Sequence, residues 1–129
     1  MKTIPITLEI PTERVQDLLC NALEGGYSSS WFSIERYLYP KGTTKESLNI
    51  EFQHIELPFK RGTIIFKDIS GEGDSKQEYA LNFPAICMGL QIMADKEPKH
   101  FADFLAEDDD TTTGDIFLQC CLFKEVIYG

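Results

Sequence analysis

The chain has 129 residues, of which 43% are hydrophobic and 26% charged, and a formal charge of −9. That length suits one domain (1–129) with apolar content enough for a core, and the composition excludes wholesale disorder. No apolar run reaches the roughly 18 residues of a membrane span, and the acidic balance argues against a direct grip on nucleic-acid phosphates.

Residues 2–10 alternate, with Ile4, Ile6, Leu8 and Ile10 on one side, and read as a first strand with no signal-peptide cleavage site. The expected location is therefore the compartment of synthesis, the cytoplasm. Thr12 is placed to cap a helix in which Val15, Leu18, Leu19, Ala22 and Leu23 recur at helical spacing. Gly25 and Gly26 are expected to end it in the left-handed conformation.

Residues 30–39 suit a strand, with Phe32, Ile34 and Leu38 on one face and Trp31, Ser33, Glu35, Tyr37 and Tyr39 on the other. Leu48, Ile50 and Phe52 alternate with polar residues and predict a further strand. Residues 63–69 and 76–82, separated by Gly71-Glu-Gly-Asp, predict a hairpin.

From Phe83 the period turns helical. Phe83, Ile86, Cys87, Leu90, Met93 and Ala94 share a face, and a short helix is expected at 98–106. Thr112 is a cap for a last helix, with Asp115 three positions on as in a capping box. Residues 116–123 are apolar nearly all round, which buries that helix in the core or at a subunit contact. The expected fold is α+β, a largely antiparallel sheet of four to five strands with about four helices on one face.

The four cysteines form no C-x-x-C pair, and Cys20, Cys87 and Cys120 fall on apolar helical faces, as in a reduced chain. His54 and His100 lack metal spacing, and no nucleotide-loop, hydrolase or zinc-protease motif occurs. No catalytic residue, metal ligand or cofactor is assigned.

Two stretches remain as candidate surfaces. The first is aromatic: Tyr27, Trp31, Ser33, Arg36, Tyr37 and Tyr39, with Thr112 and Thr113 at a helix start able to hold a phosphate. Core packing or a dimer interface would explain the same rings. The second is acidic: residues 95–115 hold eight acids against Lys96 and Lys99, with Glu107, Asp108, Asp109 and Asp110 in a run. That run is a solvated loop, a surface for a basic partner, or a weak candidate for a divalent cation.

With "ERVQDLLCNALEGGYSSSW", "GLQIMA" and "HFADFLAEDDDTTTGDIFLQCCLFKEVIYG" in hand, the chain resembles a family of small bacteriophage and prophage proteins of uncharacterised activity. Relatives tend to carry Gly where this sequence has Lys124. The resemblance implies a setting rather than an activity: a phage accessory protein in the bacterial cytoplasm, of a kind that often antagonises host defence. Two functions follow as expectations. One is a homo-oligomer that sequesters a small nucleotide-derived ligand at the aromatic stretch. The alternative is an acidic inhibitor that docks residues 95–115 on a basic groove of a defence protein, for instance a CRISPR effector. Homo-oligomerisation is expected from the apolar 116–123 helix and the aromatic strand.

Overall fold

The structure, a computed structural model, describes residues 2–25 and 31–129. Helix α1 spans Thr12–Glu24 and buries Val15, Leu18, Leu19 and Ala22, the stripe its period predicts. Thr12 is not its cap: Pro11 holds the capping position and no side chain bonds there. Gly25 ends α1 in a right-handed conformation, donating its N–H to the Asn21 carbonyl. A glycine is required there for space, because a Cβ would collide with the Thr111 side chain.

Three strands form an antiparallel sheet in the order β1-β2-β3: β1 Phe32–Leu38, β2 Thr63–Asp68 and β3 Glu78–Leu81. The predicted hairpin is present as β2 and β3. A bulge between Ile34 and Arg36 shifts the phase of β1. Before it, Ile34 lies opposite Phe66; after it, Tyr37 lies opposite Ile64 and Leu38 opposite Thr63. Tyr37 therefore joins Phe32 and Ile34 on the core side, while Leu38 is exposed. One extra residue re-aims everything after it, as bulges do. The sequence-level division of this strand into two faces holds only for its first half.

Two predicted strands are absent. Residues 2–10 form neither helix nor strand and pair with none of the described residues, with Ile4, Ile6 and Leu8 exposed. Residues 48–52 turn instead of extending. Asn49 takes a left-handed φ of 54°, Lys60 Nζ donates to the Leu48 carbonyl at 2.7 Å, and the Glu56 carboxylate accepts from the Phe52 and Glu51 N–H groups at 2.6 and 2.9 Å. Those bonds organise a short helix, α2, at Gln53–Glu56, followed by a 3₁₀ turn at Leu57–Lys60. The α+β class stands, but with three strands and five α-helices among the described residues rather than four to five strands and about four helices.

Helix α3 (Phe83–Lys96) opens on Asn82, whose side chain accepts from the Ala85 N–H. Its buried face is Ala85, Ile86, Gly89 and Met93, so Phe83 and Cys87 face out, contrary to the sequence assignment. Gly89 lets α3 approach α5 closely; a Cβ there would lie 2.9 Å from the Cys121 backbone. After α4 (Pro98–Leu105), helix α5 (Thr111–Phe123) runs through the centre of the molecule. Nine of its thirteen residues are buried, between α1 on one side and α3 on the other. The all-round apolar character of 116–123 is spent on this core.

Helix α5 ends on Lys124 in the left-handed conformation, φ 65°, with its N–H bonded to the Cys120 carbonyl. The left-handed conformation is one that glycine adopts without strain, so a lysine here carries a backbone cost.

Candidate functional site

Trp31 is only 4% exposed. Its ring packs against Phe32, Phe123 and Tyr128 with centroids 5.3, 5.1 and 5.7 Å away, and its Nε1 donates to Asp115 at 2.7 Å. Asp115 is itself buried and accepts a second bond from Gln119 Nε2 at 2.9 Å. Gln119, with no exposure, accepts the Ile127 and Tyr128 N–H groups on Oε1 and donates to the Tyr128 carbonyl. A buried polar side chain is tolerated when every group is paired, and Gln119 satisfies both ends of its amide this way. The tail is stitched to α5, and the tryptophan is covered by its own chain.

The same tail reaches β2. The Tyr128 hydroxyl donates to Asp68, whose other oxygen accepts the Ser70 N–H and hydroxyl at 2.8 and 2.6 Å. Burial alone would raise the Asp68 carboxyl, but these donors outweigh it and hold it below the usual carboxylate range. Burial and the neighbouring Asp68 push the Tyr128 phenol up.

The remaining residues of the aromatic stretch go separate ways. Ser33 is half-buried opposite Lys67, and Arg36 lies on the outer face, where its guanidinium donates twice to Glu78 at 2.6 and 2.7 Å. Tyr37 is half-buried on the core side, its phenol pushed up by burial. The Tyr39 hydroxyl donates to Gln53 at 2.8 Å. Tyr27 lies outside the described residues.

The start of α5 is likewise occupied from within. Asp110, not Thr112, is the cap; its carboxylate accepts the Thr113 N–H at 3.0 Å, and that bond chiefly holds it below the usual range. Asp outranks Thr as a capping side chain, and the sequence offers both within three positions. Thr113 is buried, with its hydroxyl 3.3 Å from Asp110. Asp115 serves Trp31 rather than a capping box. The structure thus brings the tryptophan to the first turns of α5, but as a closed hydrogen bond and not around an opening.

Two of the four acids in the run, Glu107 and Asp109, are held by a residue that sequence reading passed over. Arg14, on α1, donates from Nη2 to the Phe104 carbonyl at 2.6 Å and to Asp109 at 3.1 Å; its Nε lies 3.5 Å from Glu107, and Asp17 is 3.9 Å away. Its guanidinium stacks 4.9 Å above the Phe104 ring. Asn21 Nδ2 donates to the other Asp109 oxygen at 2.9 Å, leaving that carboxylate only 6% exposed. Asp17 and Glu107, in contrast, are 72% exposed, and Asp108 is also exposed. Three carboxylates converge on one cation and a fourth stands beside them, so the patch keeps a net negative charge. Among the described residues no group of His, Cys, Asp and Glu is arranged to hold a metal ion. The only hint of Arg14 in the sequence is a lone base on the polar face of the first helix.

A third feature was invisible as a motif. A groove of about 550 Å³ runs between the 2–10 segment and α3, lined chiefly by Ile6, Leu8, Phe83, Cys87, Leu90 and Phe101. Asp95 is the charged residue in its wall, which suits an apolar occupant and not an anion.

The chain matches no family model, and neither a curated protein nor a solved structure shows significant similarity to it. No helix among the described residues is long and apolar enough to cross a membrane.

Proposed function

We propose that the chain is a non-catalytic binding protein that docks a basic surface of a protein partner through the acidic patch of Asp17, Glu107 and Asp108. The observation that carries this reading is the convergence on Arg14. One guanidinium fixes the α4–α5 loop against α1 and leaves two of its carboxylate partners, 72% exposed, turned to solvent. A patch of fixed, unneutralised charge steers association with an oppositely charged surface and loses strength as salt screens it. Burial pushes the Cys20 and Cys120 thiols up to about 11 and Cys121 well above its ordinary value, so these three are poor nucleophiles. In the phage setting that the resemblance implies, the partner class is a bacterial defence protein.

The test is affinity capture from bacterial lysate with the wild-type chain and with Asp17→Asn/Glu107→Gln/Asp108→Asn. The expected result is a partner held at low salt, released at about 0.5 M salt and absent from the variant. A partner retained equally by the variant sinks the proposal. A nucleotide-like compound found at stoichiometric amount in the heat-denatured supernatant would favour ligand sequestration instead.

A further inference from the structure

Residues 2–10 present a physical anomaly. They carry the period-two, β-branched composition of a strand, yet none of them makes a backbone hydrogen bond to another described residue. Ile4 is 88% exposed and Ile6 80%, while Ile10 is packed against the core. Unpaired backbone carrying an alternating apolar row is the arrangement that recruits another strand. The sheet is a poor recipient: β1 carries a bulge and the exposed charges of Glu35 and Arg36, and β3 spans four residues.

We propose that residues 4–10 pair antiparallel with the same segment of a second copy, forming a two-stranded ribbon whose apolar face closes the groove of both chains. Pro5 sets the phase. It has no N–H, so in a two-stranded ribbon it must sit where the backbone points away from the partner strand. The inward backbone groups are then those of Ile4, Ile6, Leu8 and Ile10. A two-fold axis through Thr7 uses all four, setting Ile4 opposite Ile10, Ile6 opposite Leu8, and Thr7 opposite its own copy.

The side chains agree with that phase. Ile4, Ile6, Leu8 and Ile10 share one face of the ribbon, and Ile6, Leu8 and Ile10 already line the groove wall. By alternation Thr3, Pro5, Thr7 and Glu9 take the other face of the ribbon, although Thr7 also borders the groove in the single chain. Threonines directly opposite one another are a favourable cross-strand pair. Charge permits the contact as well. Each chain carries −9, but residues 2–10 contain one base and one acid, Lys2 and Glu9, so two acidic molecules meet at a neutral segment. A second copy fits because it supplies the same alternation and the same open backbone, and the two-fold closes both grooves with one contact.

Light scattering after size-exclusion chromatography tests this on the full chain with two proline variants. Neither position bonds its backbone to another described residue, so both variants should fold, Thr7→Pro with the wild-type thermal midpoint and Ile6→Pro with the midpoint the wild type shows when diluted to monomer. The wild type should run at twice 14.7 kDa, Ile6→Pro as a monomer, and Thr7→Pro, whose N–H points outward, as a dimer. Thr7→Cys should give a covalent dimer on mild oxidation that Thr3→Cys does not, a readout independent of proline's effect on folding. A monomeric wild type, equal behaviour of the two proline variants, or no Thr7→Cys cross-link would overturn the proposal.

Discussion

Helix α5 and the 2–10 segment are both rich in apolar residues, and they stand at opposite ends of the scale of satisfaction. Along α5 nine residues are buried, and Asp115 and Gln119 find partners in Trp31, just before β1, and in the tail. Along 2–10 three large apolar side chains are exposed and the backbone is unpaired within the described chain. Burial therefore follows from what the rest of the chain brings to a segment, not from the apolar count of the segment itself. Alternation of residues makes a strand possible; a neighbour with open hydrogen bonds makes it real.

The comparison is broken most severely by crowding the well-satisfied region. A Cβ on Gly114 would lie 2.6 Å from the Ala22 N atom and 2.9 Å from Asn21 C. Gly114→Val should therefore cost about 3 kcal/mol or prevent folding, read by urea denaturation. Asp115→Ala strands the buried Trp31 indole N–H and one Gln119 donor, and should cost about 2–3 kcal/mol, with a shift in tryptophan fluorescence as an independent readout.

Tyr128→Phe should cost about 1–1.5 kcal/mol and change the pH profile. Asp68 is held below its ordinary value, so its contribution is present above the usual carboxylate range and lost as pH falls through the lower, folded-state value. Tyr128 is held above its own, so its contribution is present below the usual phenol range and lost as pH rises beyond it. Thermal midpoints across pH should show a plateau falling at both ends for the wild type, and Tyr128→Phe should weaken both shoulders. A Tyr128→Phe profile parallel to that of the wild type would show that the pair is not the cause.

A smaller effect has the opposite sign. Lys124→Gly relieves a left-handed backbone and should stabilise by about 0.5 kcal/mol, the entropy of the unfolded glycine offsetting part of the gain. In the poorly satisfied region, Ile4→Thr should move the stability of the single chain by less than about 0.5 kcal/mol in urea denaturation at dilutions that keep it monomeric, because there the side chain has little burial to lose.

What could be read in advance follows the same divide. Helices α1, α3, α4 and α5 and the β2–β3 hairpin were legible because their signals are local: a 3.6-residue period, or two alternating runs about a glycine turn. The second half of β1 was not, since a bulge depends on the partner strand. Residues 48–52 were misread because Glu56 and Lys60, from outside the alternating run, bind the backbone that a strand would have needed. The candidate aromatic surface failed on Trp31 for a related reason. Its partners Asp115, Phe123 and Tyr128 lie more than eighty residues away, and nothing near the tryptophan announces them. The acidic run was visible as charge, but the cation that organises it sits on α1.

The pairing of α1 with α5 also sets the timetable of folding. At Gly25 and Gly114 the two helices leave no room for a Cβ, yet about ninety residues of chain separate these positions. At a synthesis rate of about 5–20 residues per second, the apolar stripe of α1 waits roughly 5–20 s for the helix that covers it. During that interval Leu18 and Leu19 lack the helix that covers them, and the contact that finally buries them is of the long-range kind that slows folding.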